Sequence, residues 1–184
     1  KSGQRVLCME GEFPANVTPW QRAAETFGLQ VVFGPGRLWS RQPGLVLQWL
    51  EEELRRGARL VAVSAVQFQT GYRLPVREVA RLAHAWGAEL FVDGIQGVGV
   101  VPQSVVAEGI DYFVSGGHKW LMGLEGLGFA YAAPDAARAL VPRLAGWLSH
   151  VEPASFLFEG SGHLRHDRPL RPGPADVGPR LCRQ

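Results

Sequence analysis

A lysine and an aspartate each follow an apolar, strand-like run of this 184-residue sequence. Lys119 lies in "SGGHKWL", residues 115–121, after "IDYFV", and Asp93 follows "AELFV". A lysine that is removed from water can have a lowered pKa and act as a nucleophile that forms Schiff bases. The same residues are compatible with a structural ion pair between the two side chains, with a Lys119 that faces solvent, or with an Asp93 that caps the following turn.

Strand-like and helix-like segments alternate along the part of the chain that carries these two residues. The predicted strands are "RVLCM", "QVVF", "RLVAVSAV", "AELFV", "DYFVS" and "GFAYA", and the predicted helices are "TPWQRAAETFG", "LVLQWLEEELRRG", "PVREVARLAHAWG" and "DAARALVPRLAG". This alternation predicts an α/β fold with a mainly parallel sheet that is covered on both faces. Because ligands collect beyond the carboxyl ends of such strands, Asp93, Ser115 and Lys119 are expected to line one crevice.

The composition argues against several other classes of protein. Hydrophobic residues make up 46% of the chain and the net charge is only +2, which disfavours a nucleic-acid-binding surface. No apolar run approaches the ~20 residues of a membrane span, so no membrane partner is expected. Cys8 and Cys182 give no disulfide framework and no metal spacing, which favours a cytoplasmic protein. No metal is expected, because His150, His163 and His166 lie in irregular sequence.

Two spaced motifs and their surroundings resemble the pyridoxal-phosphate-dependent family of class V aminotransferases and cysteine desulfurases. Asp93 and Gln96 match the family's "D-x-x-Q" element, and Asp111 to Lys119 matches its aspartate, strand and "HK" element. "GLGFAYA" resembles the family's glycine-rich return strand. The resemblance covers roughly residues 5 to 150. It implies the large domain of the type-I fold, a three-layer sandwich, in incomplete form.

Two further stretches refine the resemblance within this family. "HKWL" is nearest to the isopenicillin-epimerase-like branch, and "VQFQTG" is similar to kynureninases. The family as a whole acts on amino acids or their derivatives, as aminotransferases, lyases, desulfurases or epimerases, and its members are typically homodimers. An amino acid substrate and a homodimer are therefore what the resemblance implies for this chain.

The resemblance also implies how pyridoxal phosphate is held. Lys119 would form the Schiff base with the cofactor and later move the proton at the substrate α carbon. Asp93 would pair with the pyridinium nitrogen, because an opposite charge favours the charged form. Gln96 would hydrogen-bond the ring oxygen. The cofactor would act as the electron sink, while the protein supplies orientation and electrostatics.

The phosphate contacts follow from the residues just before the lysine. The resemblance implies that His118 faces the phosphate, helped by the backbone amides of Gly116 and Gly117. The serine that desulfurases carry three residues before the lysine falls here on Gly116. Ser115, one position earlier, is the candidate phosphate contact in its place.

Several expected parts of the family pattern fall outside the matched core. The phosphate-binding loop and the residue that stacks on the ring are expected before Lys1, and the substrate-carboxylate arginine is expected in the small domain. The family's asparagine before the Thr-Gly turn falls on Phe68 or a neighbouring glutamine. Residues 1–150 are therefore interpreted as the cofactor-binding core. Residues 151–184 are interpreted as an irregular tail or the start of a truncated small domain, with the match ending near Asp167.

Two alternatives to an active enzyme core remain at this point. The chain could have the same fold without activity, as a truncated product that lacks half of the cofactor site. It could instead be a Rossmann-like binding domain, although no "GxGxxG" opens a helix after the first strand, which counts against that interpretation.

Overall fold

The computed structural model describes residues 3–141 together with Gly146 and Ser149. It contains a six-stranded sheet in the order β2-β1-β3-β4-β5-β6. The strands are β1 Arg5–Met9, β2 Gln30–Gly34, β3 Leu60–Ser64, β4 Glu89–Asp93, β5 Tyr112–Gly116 and β6 Gly128–Ala132. The helices are α1 Thr18–Phe27, α2 Pro43–Arg55, α3 Val76–Ala85 and α4 Pro134–Ala139. The six predicted strands and the first three predicted helices are present with small shifts at the ends, and the α/β prediction is confirmed. The fourth predicted helix, residues 135–146, is helical only to Ala139, and its residues 142–145 lie outside the described residues.

The first five strands are parallel and the sixth is antiparallel. β1 pairs with β2 and β3, β3 with β4, and β4 with β5 in parallel, whereas β5 and β6 run in opposite directions. A parallel pair needs a crossover of a dozen or more residues, and the first four connections are long enough to provide one. The shorter loop 117–127 holds no helix and returns the chain directly, so β6 lies antiparallel at the sheet edge.

Helices cover the sheet on both faces, as the hydrophobic pattern requires. One core cluster joins Leu7, Val61 and Leu90 to the apolar sides of α2 and α3, which contribute Leu50 and Val79. These five side chains are fully buried. Burying one such side chain stabilises a fold by about 1.5–3 kcal/mol, so this cluster makes a large contribution to the stability of the domain.

The second face of the sheet has a smaller cluster beneath α1. Val6, Cys8 and Ala62 pack there against Trp20, whose ring meets Phe91 edge-on with centroids 5.1 Å apart. Cys8 is a buried core thiol, as predicted, and burial raises its pKa to about 12. The cover by α1 stops short of β6, whose first three residues are exposed.

Residues 1–133 form one compact unit, and residues 134–184 are grouped into a second. The predicted boundary near residue 150 and the predicted irregular tail, residues 151–184, lie outside the described residues. Within the described part of the chain, no helix is both long and apolar enough to cross a membrane.

A close contact at the end of β4 gives a test of the packing. A Cβ atom added at Gly94 would lie 1.9 Å from Cζ of Phe113, which is 3% exposed. Gly94→Ala is therefore expected to lower the free energy of unfolding by about 1–3 kcal/mol or more, because the buried ring must move. Urea unfolding monitored by circular dichroism measures this difference.

Gly44 in α2 is the matched control for that substitution. No atom lies within 4 Å of a Cβ added at Gly44, so Gly44→Ala should instead stabilise the helix by about 0.5–1 kcal/mol. Equal unfolding free energies for Gly94→Ala and Gly44→Ala would contradict the described packing of Phe113 against the chain after β4.

Candidate active site

Asp93 ends β4 and faces the side of the sheet on which α1 lies. Its register partners are Ser64 on β3 and Val114 on β5, so the three side chains share one face. The carboxylate accepts a hydrogen bond from the N–H of Ile95 at 3.0 Å. Burial raises the pKa of Asp93 above its ordinary value, and the Ile95 bond and the charge of Lys119 act in the opposite direction. The site thus favours a cationic partner for this carboxylate.

A cavity of about 450 Å³ opens in front of Asp93. Glycine and small apolar residues line much of it, which leaves room for a flat group against the sheet. The lining residues are Ala15, Asn16, Phe91, Asp93, Ile95, Val114, Ser115, Gly116, Gly128, Phe129 and Ala130. The cavity therefore lies along the carboxyl ends of β4 and β5, where the strand order predicts a ligand.

Lys119 lies beside an aromatic side chain that sequence reasoning missed. Its Nζ atom is 5.5 Å from the ring centroid of Phe13, in the loop between β1 and α1. Phe13 in turn meets the ring of Phe68 edge-on, with centroids 5.3 Å apart. The ring-stacking residue was expected outside this sequence, yet an aromatic ring stands next to the lysine. The signal that could have found Phe13 is its place just beyond the carboxyl end of the first strand.

The loops after β4 and β5 are in direct contact, which brings the two motifs together. A Cβ atom added at Gly99 would lie 2.8 Å from the carbonyl oxygen of Trp120. Gly99 has a φ of +100°, a conformation that glycine adopts without strain. A larger residue at this position would separate the loop of Asp93 and Gln96 from that of Lys119.

Backbone hydrogen bonds hold the loop that carries Lys119. The N–H of Met122 donates to the carbonyl of Lys119 at 2.9 Å, and the N–H of Gly123 donates to the carbonyl of Gly117 at 2.8 Å. The N–H of Gly117 donates to Leu127 at 2.8 Å. The Gly117 amide, expected to serve a phosphate group, is therefore engaged within the loop.

His118 and Ser115 differ in how they meet the cavity. The exposed His118 ring packs on Gly116, where an added Cβ atom would lie 3.0 Å from its Cε1 and Nδ1 atoms. A serine at position 116 would have to displace this ring, which accounts for the glycine. The buried Ser115 hydroxyl donates to the carbonyl of Gly116 at 3.1 Å, and strand alternation turns it away from Asp93. The phosphate contacts of His118 and Ser115 stay predictions.

Gln96 lies half-buried in the turn after Asp93. Among the described residues its side-chain amide has no recorded hydrogen bond, so the amide is free to meet a ligand. The predicted contact of Gln96 with a ring oxygen remains a prediction. The buried Gln67, by contrast, uses its amide within the protein, donating to the carbonyl of Gly11 at 2.7 Å.

Asp111, the first residue of the matched aspartate and "HK" element, has a structural role. Its carboxylate accepts from the N–H of Leu90 at 2.7 Å and lies 2.7 Å from Nε2 of His84. Its carbonyl accepts from the N–H of Ala133 at 2.8 Å. Asp111 therefore joins α3 and β4 to the start of β5 and the end of β6.

The assembled groups fit pyridoxal phosphate. The cavity offers the half-buried carboxylate of Asp93 for the ring nitrogen. Lys119, whose charge acts on Asp93, supplies an amine for the aldehyde, and the ring of Phe13 lies beside that amine. Among the described residues, no group of three His, Cys, Asp or Glu side chains could hold a metal ion, and the expectation of no metal stays a prediction. Fold and site together define the large domain of a pyridoxal-phosphate-dependent enzyme of the type-I fold.

Comparisons with known proteins give the family. The family model described as aminotransferase class-V matches residues 1–160. A probable cysteine desulfurase of Chlamydia muridarum is 34% identical over 142 residues, which cover 77% of this chain and 34% of that protein. The cysteine desulfurase of Enterobacter sp. is 33% identical over 141 residues, which cover 77% of this chain and 34% of that protein. The chain thus spans about a third of the length of these relatives.

Solved structures agree with the sequence comparisons. The apo cysteine desulfurase of Thermococcus onnurineus NA1 has a TM-score of 0.76 at 27% identity, covering 95% of this chain and 40% of that one. The cystine C-S lyase C-DES, in complex with its product cysteine persulfide, has a TM-score of 0.72 at 27% identity, covering 82% of this chain and 40% of that one. The chain belongs to the class V aminotransferase family, whose enzymes depend on pyridoxal phosphate. The finer affinity to isopenicillin-epimerase-like and kynureninase-like branches stays a prediction.

Proposed function

We propose that this chain is the cofactor-binding core of a pyridoxal-phosphate-dependent enzyme that acts on an amino acid. The observation that carries the proposal is that three distant segments approach one another beside the cavity that Asp93 lines. The loop after β1 brings Phe13, the end of β4 brings Asp93 and the loop after β5 brings Lys119. The cofactor, when bound, withdraws electrons from bonds at the substrate α carbon.

Each of these residues has a distinct task in the proposal. Asp93 pairs with the cationic ring nitrogen, which offsets the cost of its own burial. Lys119 would hold the cofactor covalently, and its amine would accept or return the proton at the substrate α carbon. Phe13 packs on the ring face nearest to the lysine.

Gln96, His118 and Ser115 complete the proposed cofactor contacts. Gln96 donates to the ring oxygen, since its amide lies on the turn directly after Asp93. The ring of His118, which packs on Gly116, meets the phosphate group. Ser115, which lines the cavity, is the further proposed phosphate contact, and its hydroxyl would have to leave the Gly116 carbonyl to make it.

Cysteine is the substrate that the desulfurase relatives favour for this chain. The names of these relatives concern longer proteins, of which the matched region covers 34%, so cysteine desulfuration is proposed here for the whole protein of which this core is a part. Transamination, other lyase reactions and epimerisation use the same Lys119 and Asp93 and are the alternatives within the family. The core is proposed to comprise residues 1–150, with residues 151–184 as the tail, and a cytoplasmic location is proposed with it.

A homodimer is proposed from the apolar surface beside the lysine. Several large apolar side chains near Lys119 are between 45% and 91% exposed, and exposed apolar patches of this kind mark contact surfaces. They are Trp120, Leu121, Met122, Leu124 and Leu127. The alternative is an inactive chain of the same fold that binds the cofactor weakly. Such a chain would aggregate through this patch without forming a defined oligomer.

A cofactor titration separates these alternatives. Pyridoxal phosphate added to the purified chain should produce a visible absorbance band that saturates and that borohydride removes, because the link to Lys119 is reducible. Light scattering at several protein concentrations should report a dimer of constant mass. A chain that gives no saturable band, or that aggregates without reaching a defined mass, would support the inactive alternative.

A further inference from the structure

Gln67 is a buried polar side chain whose amide oxygen and amide nitrogen both form hydrogen bonds. It is 8% exposed and lies in the loop after β3, directly before Phe68. Its Oε1 atom accepts from the N–H of Gln69 at 2.8 Å and from the N–H and hydroxyl of Thr70 at 2.7 and 3.0 Å. Its Nε2 atom donates to the carbonyl of Gly11 at 2.7 Å. Because three donors surround Oε1, the amide cannot be turned around, and its NH₂ group must face Gly11.

Glu12 fixes the same loop from the other side. Its Oε1 atom accepts from the N–H of Ser64 at 2.8 Å, and its Oε2 atom accepts from the Ser64 hydroxyl and from Nδ2 of Asn16 at 3.2 Å. Ser64 is itself buried at the end of β3. Two consecutive residues, Gly11 and Glu12, are therefore tied to β3 and its loop immediately before Phe13.

This arrangement determines where the Phe13 ring can lie. Gln67 joins the Phe13 loop to the turn that begins with Phe68, and the two rings meet edge-on at 5.3 Å. On the other side, the Phe13 ring lies 5.5 Å from Nζ of Lys119. Without these hydrogen bonds, the loop could adopt more conformations and the exposed Phe13 could change rotamer. Each hydrogen bond to the loop lowers the number of conformations that it can adopt.

We propose that Gln67 is a positioning residue, which holds the Phe13 ring against Lys119 through the carbonyl of Gly11. The inference rests on the proposed function, in which a fixed ring beside the lysine forms one wall of the cofactor site. Gln67 itself touches neither the cofactor nor the reacting atoms. Within the described part of the chain, the hydrogen bonds of its side chain run to the two loops that it joins.

The chain offers a direct readout of the position of Phe13 that needs no cofactor. Lys119 and Lys1 are the only lysines in the sequence, so reductive methylation with ¹³C-formaldehyde labels two side chains and the amino terminus. The ring current of Phe13 should shift the methyl signals of Lys119 away from those of Lys1. Phe13→Leu, which removes the ring, gives the reference position of the unshifted signal.

Gln67→Glu and Gln69→Glu form the matched pair of variants. Gln67→Glu keeps the acceptor for the 69–70 turn but places a carboxylate oxygen against the Gly11 carbonyl, where the donor is lost. Gln69 is exposed, so the same chemical change there should leave the loop in place. We expect Gln67→Glu to lose at least half of the Lys119 shift, and Gln69→Glu to keep the parent's shift.

A second variant covers the case in which Gln67→Glu does not fold. Gln67→Met has a similar shape without hydrogen-bonding groups, and it should also lose the Lys119 shift. A folded Gln67→Glu or Gln67→Met protein with the parent's Lys119 shift would overturn the proposal. Circular dichroism in the far ultraviolet shows which variants are folded.

A parallel cofactor experiment separates this inference from the proposed function. With unmethylated protein, Gln67→Glu should weaken pyridoxal phosphate binding by about tenfold, or ~1.4 kcal/mol, and reduce the induced circular dichroism of the visible band relative to Gln69→Glu. If the parent shows no visible band while the NMR shift responds to Gln67, the proposed function fails and the positioning role stands. If the band forms and neither readout responds to Gln67, the positioning role fails alone.

Discussion

Replacing Lys119 with alanine is expected to abolish the covalent attachment of pyridoxal phosphate. Borohydride reduction of the parent with cofactor should leave a pyridoxyl group on the peptide that contains His118, Lys119 and Trp120, whereas Lys119→Ala should carry none at that site. The physical reason is that only an uncharged amine beside the cavity can attack the aldehyde, and Lys119 is the single lysine among the residues that the structure describes. Mass spectrometry of chymotryptic peptides measures the adduct.

Lys1→Ala is the control for the chemistry of free amines. Lys1 is the only other lysine of the sequence, and its replacement should leave the adduct on Lys119 at the parent's level. An adduct on Lys1 alone, or no adduct at saturating cofactor, would exclude Lys119 from the proposed role. The control is sharp because no third lysine can take up the cofactor in its place.

Asp93→Asn is expected to leave cofactor binding largely intact while proton exchange at the substrate α carbon falls at least a hundredfold. Asparagine keeps the shape of the side chain but loses the charge that favours a protonated ring nitrogen. A hundredfold loss corresponds to about 2.7 kcal/mol in the activation barrier. The effect is measured by NMR as the rate at which the α hydrogen of an amino acid is replaced by deuterium in deuterium oxide. The rate with free cofactor alone is subtracted.

Asp111→Asn separates loss of the site from loss of the fold. Asp111 accepts from Leu90 and pairs with His84 away from the cavity, so its replacement should lower the free energy of unfolding. The exchange rate per folded molecule should stay at the parent's value. If Asp93→Asn exchanged as fast as the parent, Asp93 would have no part in the chemistry, whatever the result for Asp111→Asn.

The main elements of the fold could be predicted from the sequence because their signals are local. Strand β3 is an unbroken apolar run that is buried along its whole length, and proline and glycine mark the ends of several helices. Gly28, for example, ends α1 in the left-handed conformation, with a φ of 68°. The alternation of such elements specifies a parallel sheet before any contact is known.

The cofactor contacts predicted from spaced motifs stay predictions, and the structure adds the surroundings of each residue. Asp93 lines a cavity at the carboxyl end of β4, and the charge of Lys119, in the loop after β5, acts on its carboxylate. The structure turns the Ser115 hydroxyl to the Gly116 carbonyl and commits the Gly117 amide to Leu127. These differences depend on strand alternation and on the path of loop 117–127, which a motif does not encode.

The sequence by itself determined the order of strands and helices, the family and the two residues that carry the proposed chemistry. Only the tertiary structure decided that Phe13 stands beside Lys119. Its place depends on bonds from Gln67 to Gly11 and from Glu12 to Ser64, which join residues more than 50 positions apart. Local sequence sets backbone preferences over a few residues, whereas the rotamer of an exposed ring is set by partners that only the folded sheet brings within hydrogen-bonding distance.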